Sequence, residues 1–155
     1  MNGKMNGKMT EKTNGRCLCG EVEFKISGRL PHLYQCHCSL CRKLSGSSSD
    51  TATFLDSAQF AWVKGEALVN SFVTETGYRS DFCSKCGSTV PHLMTNQKQY
   101  WIPAGLLDQV KDSEVVAHLF VGSKASWDSV CDSGAQYDTM PDMDTLNQAL
   151  QRSRR

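Results

Sequence analysis

The stretch Cys17-Leu18-Cys19-Gly20-Glu21-Val22-Glu23-Phe24-Lys25-Ile26 carries two signals at once. Its second half alternates strictly, with Val22, Phe24 and Ile26 on one side and charged residues on the other, the pattern of a half-buried strand. Its first half sets two thiols one residue apart, directly ahead of that strand. Close-set thiols on short loops are the sequence form of a metal site. Together they predict a β domain cross-linked by metal.

Working outward, Ser27-Gly28-Arg29-Leu30-Pro31 ends the strand with turn residues. Leu33-Tyr34-Gln35 runs extended into a second cluster, Cys36-His37-Cys38-Ser39-Leu40-Cys41, and residues 39–44 read as a short helical turn that presents Cys41. Ser45-Gly46-Ser47-Ser48-Ser49 reads as a flexible loop. Strand-like runs follow over residues 51–55, 60–63, 68–74, 79–82, 88–94, 100–105 and 115–121, separated by turn signals such as Lys64-Gly65-Glu66 and Thr76-Gly77. Many short strands with regular turns suggest a sandwich or barrel. A third cluster, Cys83-Ser84-Lys85-Cys86, lies between two of these runs, and Gly87 relieves the turn after it. Only residues 143–151 look helical, with Asp142 or Asp144 as cap and Leu146 and Leu150 on one face. The expected organisation is a disordered N-terminal arm over 1–14, a zinc-binding β domain over 15–141, and a C-terminal helix and tail over 142–155. The arm contains the duplication MNGK-MNGK and also reads as an expression remnant.

Composition narrows the function. The chain has 155 residues, the size of one domain, and 17 basic against 16 acidic residues leave a net charge of +1. No global field favours nucleic acid or a membrane surface. No signal-peptide core and no run of about 18 apolar residues is present, so the expected location is cytoplasmic. Thiols stay reduced there, which favours metal binding over the alternative of disulfides. Oligomeric state has no signature in the sequence.

Seven of the eight cysteines fall in the three clusters. A four-thiolate site uses four, so seven cannot fill two; four plus three leaves one metal with a vacant position, the mark of a catalytic zinc. The economical division puts Cys17, Cys19, Cys83 and Cys86 around a structural zinc, and Cys36, Cys38 and Cys41 around a second, open one; mixed pairings are the alternative. Zinc outranks iron–sulfur because three thiols on one loop with no fourth nearby suit a mononuclear ion. If both metals are structural, His37, His32 or His92 would supply the missing ligand. Taken singly, His37 points away from its neighbours' metal, His32 is solvated, His92 is a candidate cleft residue or an ordinary residue of its strand-like run, and His118 is a surface or satisfied strand residue. Arg42, Lys43 and Lys85 would offset the negative charge of a trithiolate site and attract anionic substrates, or are ordinary solvated cations. Cys131 stands apart as a spectator thiol.

These residues resemble a known family. Gly15-Arg16-Cys17-Leu18-Cys19-Gly20-Glu21-Val22, Cys36-His37-Cys38-Ser39-Leu40-Cys41-Arg42-Lys43 and Phe82-Cys83-Ser84-Lys85-Cys86-Gly87 look like the motifs of the glutathione-dependent formaldehyde-activating enzymes, also called the S-(hydroxymethyl)glutathione synthase or centromere-protein-V type. The segment 121–128 with Gln136-Tyr137 and Pro141 resembles their closing stretch. The resemblance implies a mainly β fold of the methionine-sulfoxide-reductase-B-like, or β-tent, kind. It also implies the same four-plus-three division of two zinc ions, with Cys36, Cys38 and Cys41 as the active-site ligands. The implied activity is that of a carbon–sulfur lyase or synthase acting on glutathione, or a similar thiol, and a small aldehyde such as formaldehyde.

Two other function classes fit the same residues. One is a zinc-stabilised binding module without catalysis. The other is a reductase, which needs a free nucleophilic cysteine; only Cys131 is unassigned, and Asp132 beside it raises rather than lowers its pKa. For the enzyme reading, Tyr78, His92 and the hydroxyls of residues 47–49 are candidate proton donors, and Trp127 is expected to pack onto the domain and border the open-zinc cleft.

Overall fold

The computed structural model describes residues 11–151; the MNGK duplication and the terminal arginine run lie outside the described residues. Within them the chain forms twelve strands and two α-helices, one of them short and C-terminal, so it is mainly β. It divides into two compact units. The first comprises the described residues through Leu30 with Phe54–Lys111, and the second Pro31–Thr53 with the described residues from Asp112.

In the first unit, β1 (Lys12–Arg16), β2 (Glu23–Ser27) and β5 (Phe60–Lys64) form an antiparallel sheet in the order β1-β2-β5. The alternation that predicts β2 is obeyed, since Val22, Phe24 and Ile26 are all buried. Strand β1 departs from the expectation that residues 12–14 belong to an arm. Its sequence, KTNGR, holds no apolar residue, so periodicity cannot reveal it. What makes it a strand is the edge of β2, with Gly15 opposite Phe24. A Cβ at Gly15 would overlap the Phe24 ring, and glycine alone leaves room for that ring to lie across β1. Phe24 stacks on Phe60 with centroids 5.5 Å apart, Phe60 stacks on Tyr100 at 4.0 Å, and Trp62 meets Phe60 edge-on at 5.0 Å. With Ile26, Leu30, Leu55, Ile102 and Leu107 these rings form the main core of the unit. Truncating one such ring to alanine costs about 3–5 kcal/mol.

A second sheet of the unit is β6 (Val69–Val73), β7 (Arg79–Cys83) and β8 (Thr89–Val90). The run 88–94 reads as one strand but is two. Pro91 has no N–H to continue the ladder, and the chain turns there from β8 to β9 (His92–Leu93), which pairs with β10 (Gln99–Pro103).

In the second unit, β3 (Leu33–Cys36) pairs antiparallel with the first residues of β4 (Asp50–Asp56) and parallel with β11 (Val115–Leu119), which in turn pairs with β12 (Ala135–Gln136). Helix α1 (Ser39–Ser45) follows β3 directly. Helix α2 (Met143–Leu150) is capped by Asp142, whose carboxylate accepts from Thr145 N–H at 2.8 Å, and it buries Leu146 and Leu150. No helix of the described residues is long and apolar enough to cross a membrane.

Candidate metal centres

The first cluster is built where two turns of the first unit meet. Cys17 directly follows β1, and Cys83 ends β7. Cys17 and Cys83 are buried, Cys86 is partly buried and Cys19 is exposed. Each turn closes on itself: Gly20 N–H donates to Cys17 O at 3.1 Å, and Gly87 N–H to Cys83 O at 2.8 Å. Gly87 takes φ +80°, a left-handed conformation that suits glycine. Ser88 joins the two turns. Its Oγ accepts from Leu18 N–H at 3.0 Å and lies 3.3 Å from Cys86 Sγ, so its hydrogen is free to donate to a thiolate. The Ser88 hydroxyl and amide hold the Cys86 thiol down to about 5. Val22 N–H points at Cys17 Sγ at 3.3 Å, a second donor aimed at sulfur. Val22, Val90, Leu68 and Trp62 pack around Cys17 and Cys83, so the cluster is part of a small core.

The four sulfurs lie within 4.8 Å of one another, with Cys17 to Cys19 at 3.6 Å and Cys19 to Cys83 at 3.8 Å. Four sulfurs about 2.3 Å from a tetrahedral ion stand ~3.8 Å apart. The donor set and its spacing therefore fit such an ion.

The second cluster lies wholly in the second unit, where β3 passes into α1. Cys36, Cys38 and Cys41 bring their sulfurs within 4.8 Å, and no fourth cysteine joins them. Cys38 is the N-cap of α1, and its Sγ accepts from Cys41 N–H at 3.3 Å. Burial, set against the Cys41 amide, raises the Cys38 thiol. Cys41 itself is buried. Asp50 is the ladder partner of Cys36, and burial pushes its carboxyl up to about 6. Among the cations named from sequence, Arg42 is half-buried and Lys43 exposed on α1, while Lys85 sits on the turn of the other cluster.

His37 faces away from the thiols and His118 is a satisfied strand residue, as read from the sequence, but the two are paired with each other, which the sequence does not show. His37 and His118 are each 1 % exposed. His37 Nδ1 is 3.1 Å from Asp128 Oδ2, His37 Nε2 is 2.9 Å from His118 Nδ1, and His118 Nε2 is 2.8 and 3.0 Å from the Asp132 carboxylate oxygens. The result is a chain Asp128–His37–His118–Asp132. Three links need three hydrogens, and two neutral imidazoles carry two. The chain therefore holds one further proton or leaves one link between two acceptors. Burial lowers the His37 pKa, the His118 ring adds to that, and Asp128 opposes both. His118 holds the Asp132 carboxyl below its usual range. Sequence spacing gives no hint of this chain, because His37 and His118 are 81 residues apart and meet through the parallel pairing of β3 with β11.

The remaining candidates are placed as follows. His92 belongs to the first unit, stacked on Trp101 at 5.1 Å, with its Nδ1 buried and unpaired. Tyr78, half-buried, also lies in the first unit, and residues 47–49 in the second. Trp127 is 71 % exposed, so the expectation that it packs onto the domain fails; the next residue, Asp128, faces His37. Cys131 is exposed, its thiol donating to Ser129 O.

The chain belongs to the glutathione-dependent formaldehyde-activating enzyme family, whose model matches residues 12–123. A Halomonas elongata protein, named provisionally as a glutathione-dependent formaldehyde-activating enzyme, is 30% identical over 83 residues, 49% of this chain and 52% of that protein. The match thus spans about half of that relative. A Schizosaccharomyces pombe protein described as an uncharacterized lyase is 29% identical over 111 residues, 71% of this chain and 79% of that one. The crystal structure of a Rhodobacter sphaeroides protein is similar in fold, with a TM-score of 0.52 and 21% identity over 66% of this chain and 98% of the other.

Proposed function

We propose that this protein is a zinc-dependent carbon–sulfur lyase or synthase that joins a small thiol, glutathione or a relative, to a small aldehyde such as formaldehyde. The carrying observation is the division of thiols into one cluster of four and one of three, in a chain of this family. On this reading Cys17, Cys19, Cys83 and Cys86 hold a structural zinc, Cys36, Cys38 and Cys41 hold the catalytic one, and the fold is of the β-tent kind. Held by these three thiolates, zinc would supply a Lewis acid and would lower the pKa of a thiol that binds it.

The reaction needs no redox partner. A carbon–sulfur bond forms as the carbonyl π pair moves to oxygen, and the proton released by the thiol ends on that oxygen; the lyase direction reverses each change. As the ladder partner of Cys36, Asp50 would carry this proton. Arg42 and Lys43 follow Cys41 on α1 and draw the carboxylates of a glutathione-like thiol towards the cluster. Exchange spectroscopy by proton NMR tests the proposal on an equilibrium mixture of formaldehyde and glutathione. The protein should speed exchange between free and adduct signals, and Cys38→Ser should remove the effect. Equal exchange rates with and without protein would refute it.

A further inference from the structure

Four side chains of the second unit serve neither thiol cluster directly: Asp128, His37, His118 and Asp132. Burying two imidazoles is costly unless their nitrogens are paired, and here every ring nitrogen of both is paired, at 2.8–3.1 Å. The thiol–aldehyde chemistry gives this chain no task. Its location does, because His37 is the residue between Cys36 and Cys38. The backbone there is pinned as well, with His37 N–H donating to Leu119 O at 2.9 Å and Cys36 in register with Leu119. Along an extended segment side chains alternate, and Cys38 has the extended φ of −66° and ψ of 159°. The imidazole thus leaves the chain on the side opposite the two thiols, and where it is held decides how both cysteines are aimed.

We propose that Asp132, acting through His118 and His37, is a positioning residue that aims the Cys36-x-Cys38 loop so that its sulfurs converge with Cys41 on one ion. The Asp132 side chain is 47% exposed and is itself fixed by Gly134 N–H at 2.8 Å. A solvent-facing carboxylate is thereby linked to the ligand loop through two buried rings, while Asp128 holds the far side of His37. Outer partners of this sort commonly change metal affinity 10- to 100-fold when removed. The inference rests on Cys36, Cys38 and Cys41 forming a metal centre and is independent of the substrate.

Cobalt titration of the full chain provides the test, with Asp132→Ala, Asp132→Asn and His118→Gln beside the wild type. The wild type should take up two ions. Asp132→Ala should keep the first and bind the second about tenfold or more weakly, with altered visible bands. Asp132→Asn, whose amide oxygen still accepts from His118 Nε2, should restore most of both. In the metal-free chain, peptide mapping should find Cys36 and Cys38 alkylated faster in Asp132→Ala. A merely structural Asp132 would lower the melting temperature and leave bands and alkylation rates unchanged. Wild-type affinity and bands in both Asp132→Ala and His118→Gln overturn the proposal; if His118→Gln does not fold, Asp132→Ala decides alone. A wild type that binds one ion overturns the metal reading itself, and the positioning role with it.

Discussion

The two thiol clusters are made of the same groups and differ in what the chain must do to assemble them. Cys36, Cys38 and Cys41 come from six consecutive residues, so a local turn suffices. The other cluster joins Cys19 to Cys83, 64 residues apart, and its sulfurs are wrapped by Val22, Val90 and Trp62. An ion bound there would close a long loop, which removes more freedom from the unfolded chain than one closing a short turn. On the proposed reading, ligand count and chain separation together would separate a site that holds the fold from a site the fold holds.

The sharpest way to break that comparison is to remove one ligand from each. Structural zinc contributes on the order of 10 kcal/mol to the folding of small zinc peptides, comparable to the whole stability of a domain. Cys83→Ala should therefore give no cooperative thermal transition, whereas Cys41→Ala should melt cooperatively and stay soluble. Equal destabilisation of the two variants would remove the basis for unlike sites. A smaller effect is expected at Trp127. With 71 % of the residue exposed, Trp127→Phe should leave the stability within about 0.5 kcal/mol of wild type, and thiol affinity measured on it decides whether the indole touches substrate. A loss of several kcal/mol would show that it anchors the second unit after all.

The smallest effect concerns acid. Burial, as the largest cause, lowers the pKa of both His92 and His37. The unfolded chain then takes up protons first, near the ordinary value of about 6.5. The stability tied to neutral imidazoles is complete above that pH and is lost as pH falls towards the lower folded values. His92→Phe deletes the share of the first unit: relative to wild type, its denaturation midpoint should rise between pH 7.5 and pH 5.5. A constant difference across that range would contradict the burial account.

How much of this was legible in the sequence follows from what each feature depends on. The thiol grouping, β2, α1 and the Asp142 cap of α2 are local, written in spacing and alternation. Strand β1 was hidden because KTNGR has no apolar residue and is a strand only by virtue of Phe24 across from Gly15. The break at Pro91 was readable in principle, since proline cannot donate within a ladder. The aspartate–histidine chain was out of reach, because its four residues come together through a parallel strand pairing that no local pattern encodes. Asp50 was likewise silent until β4 placed it opposite Cys36.

The central claim, one closed metal site and one open to a thiol, is tested most directly by glutathione titration of the cobalt-substituted protein. The account predicts two ions per chain and a change in the visible bands of one of them at millimolar glutathione, absent in Cys38→Ser. A spectrum unchanged by glutathione, cysteine and coenzyme A alike would contradict it.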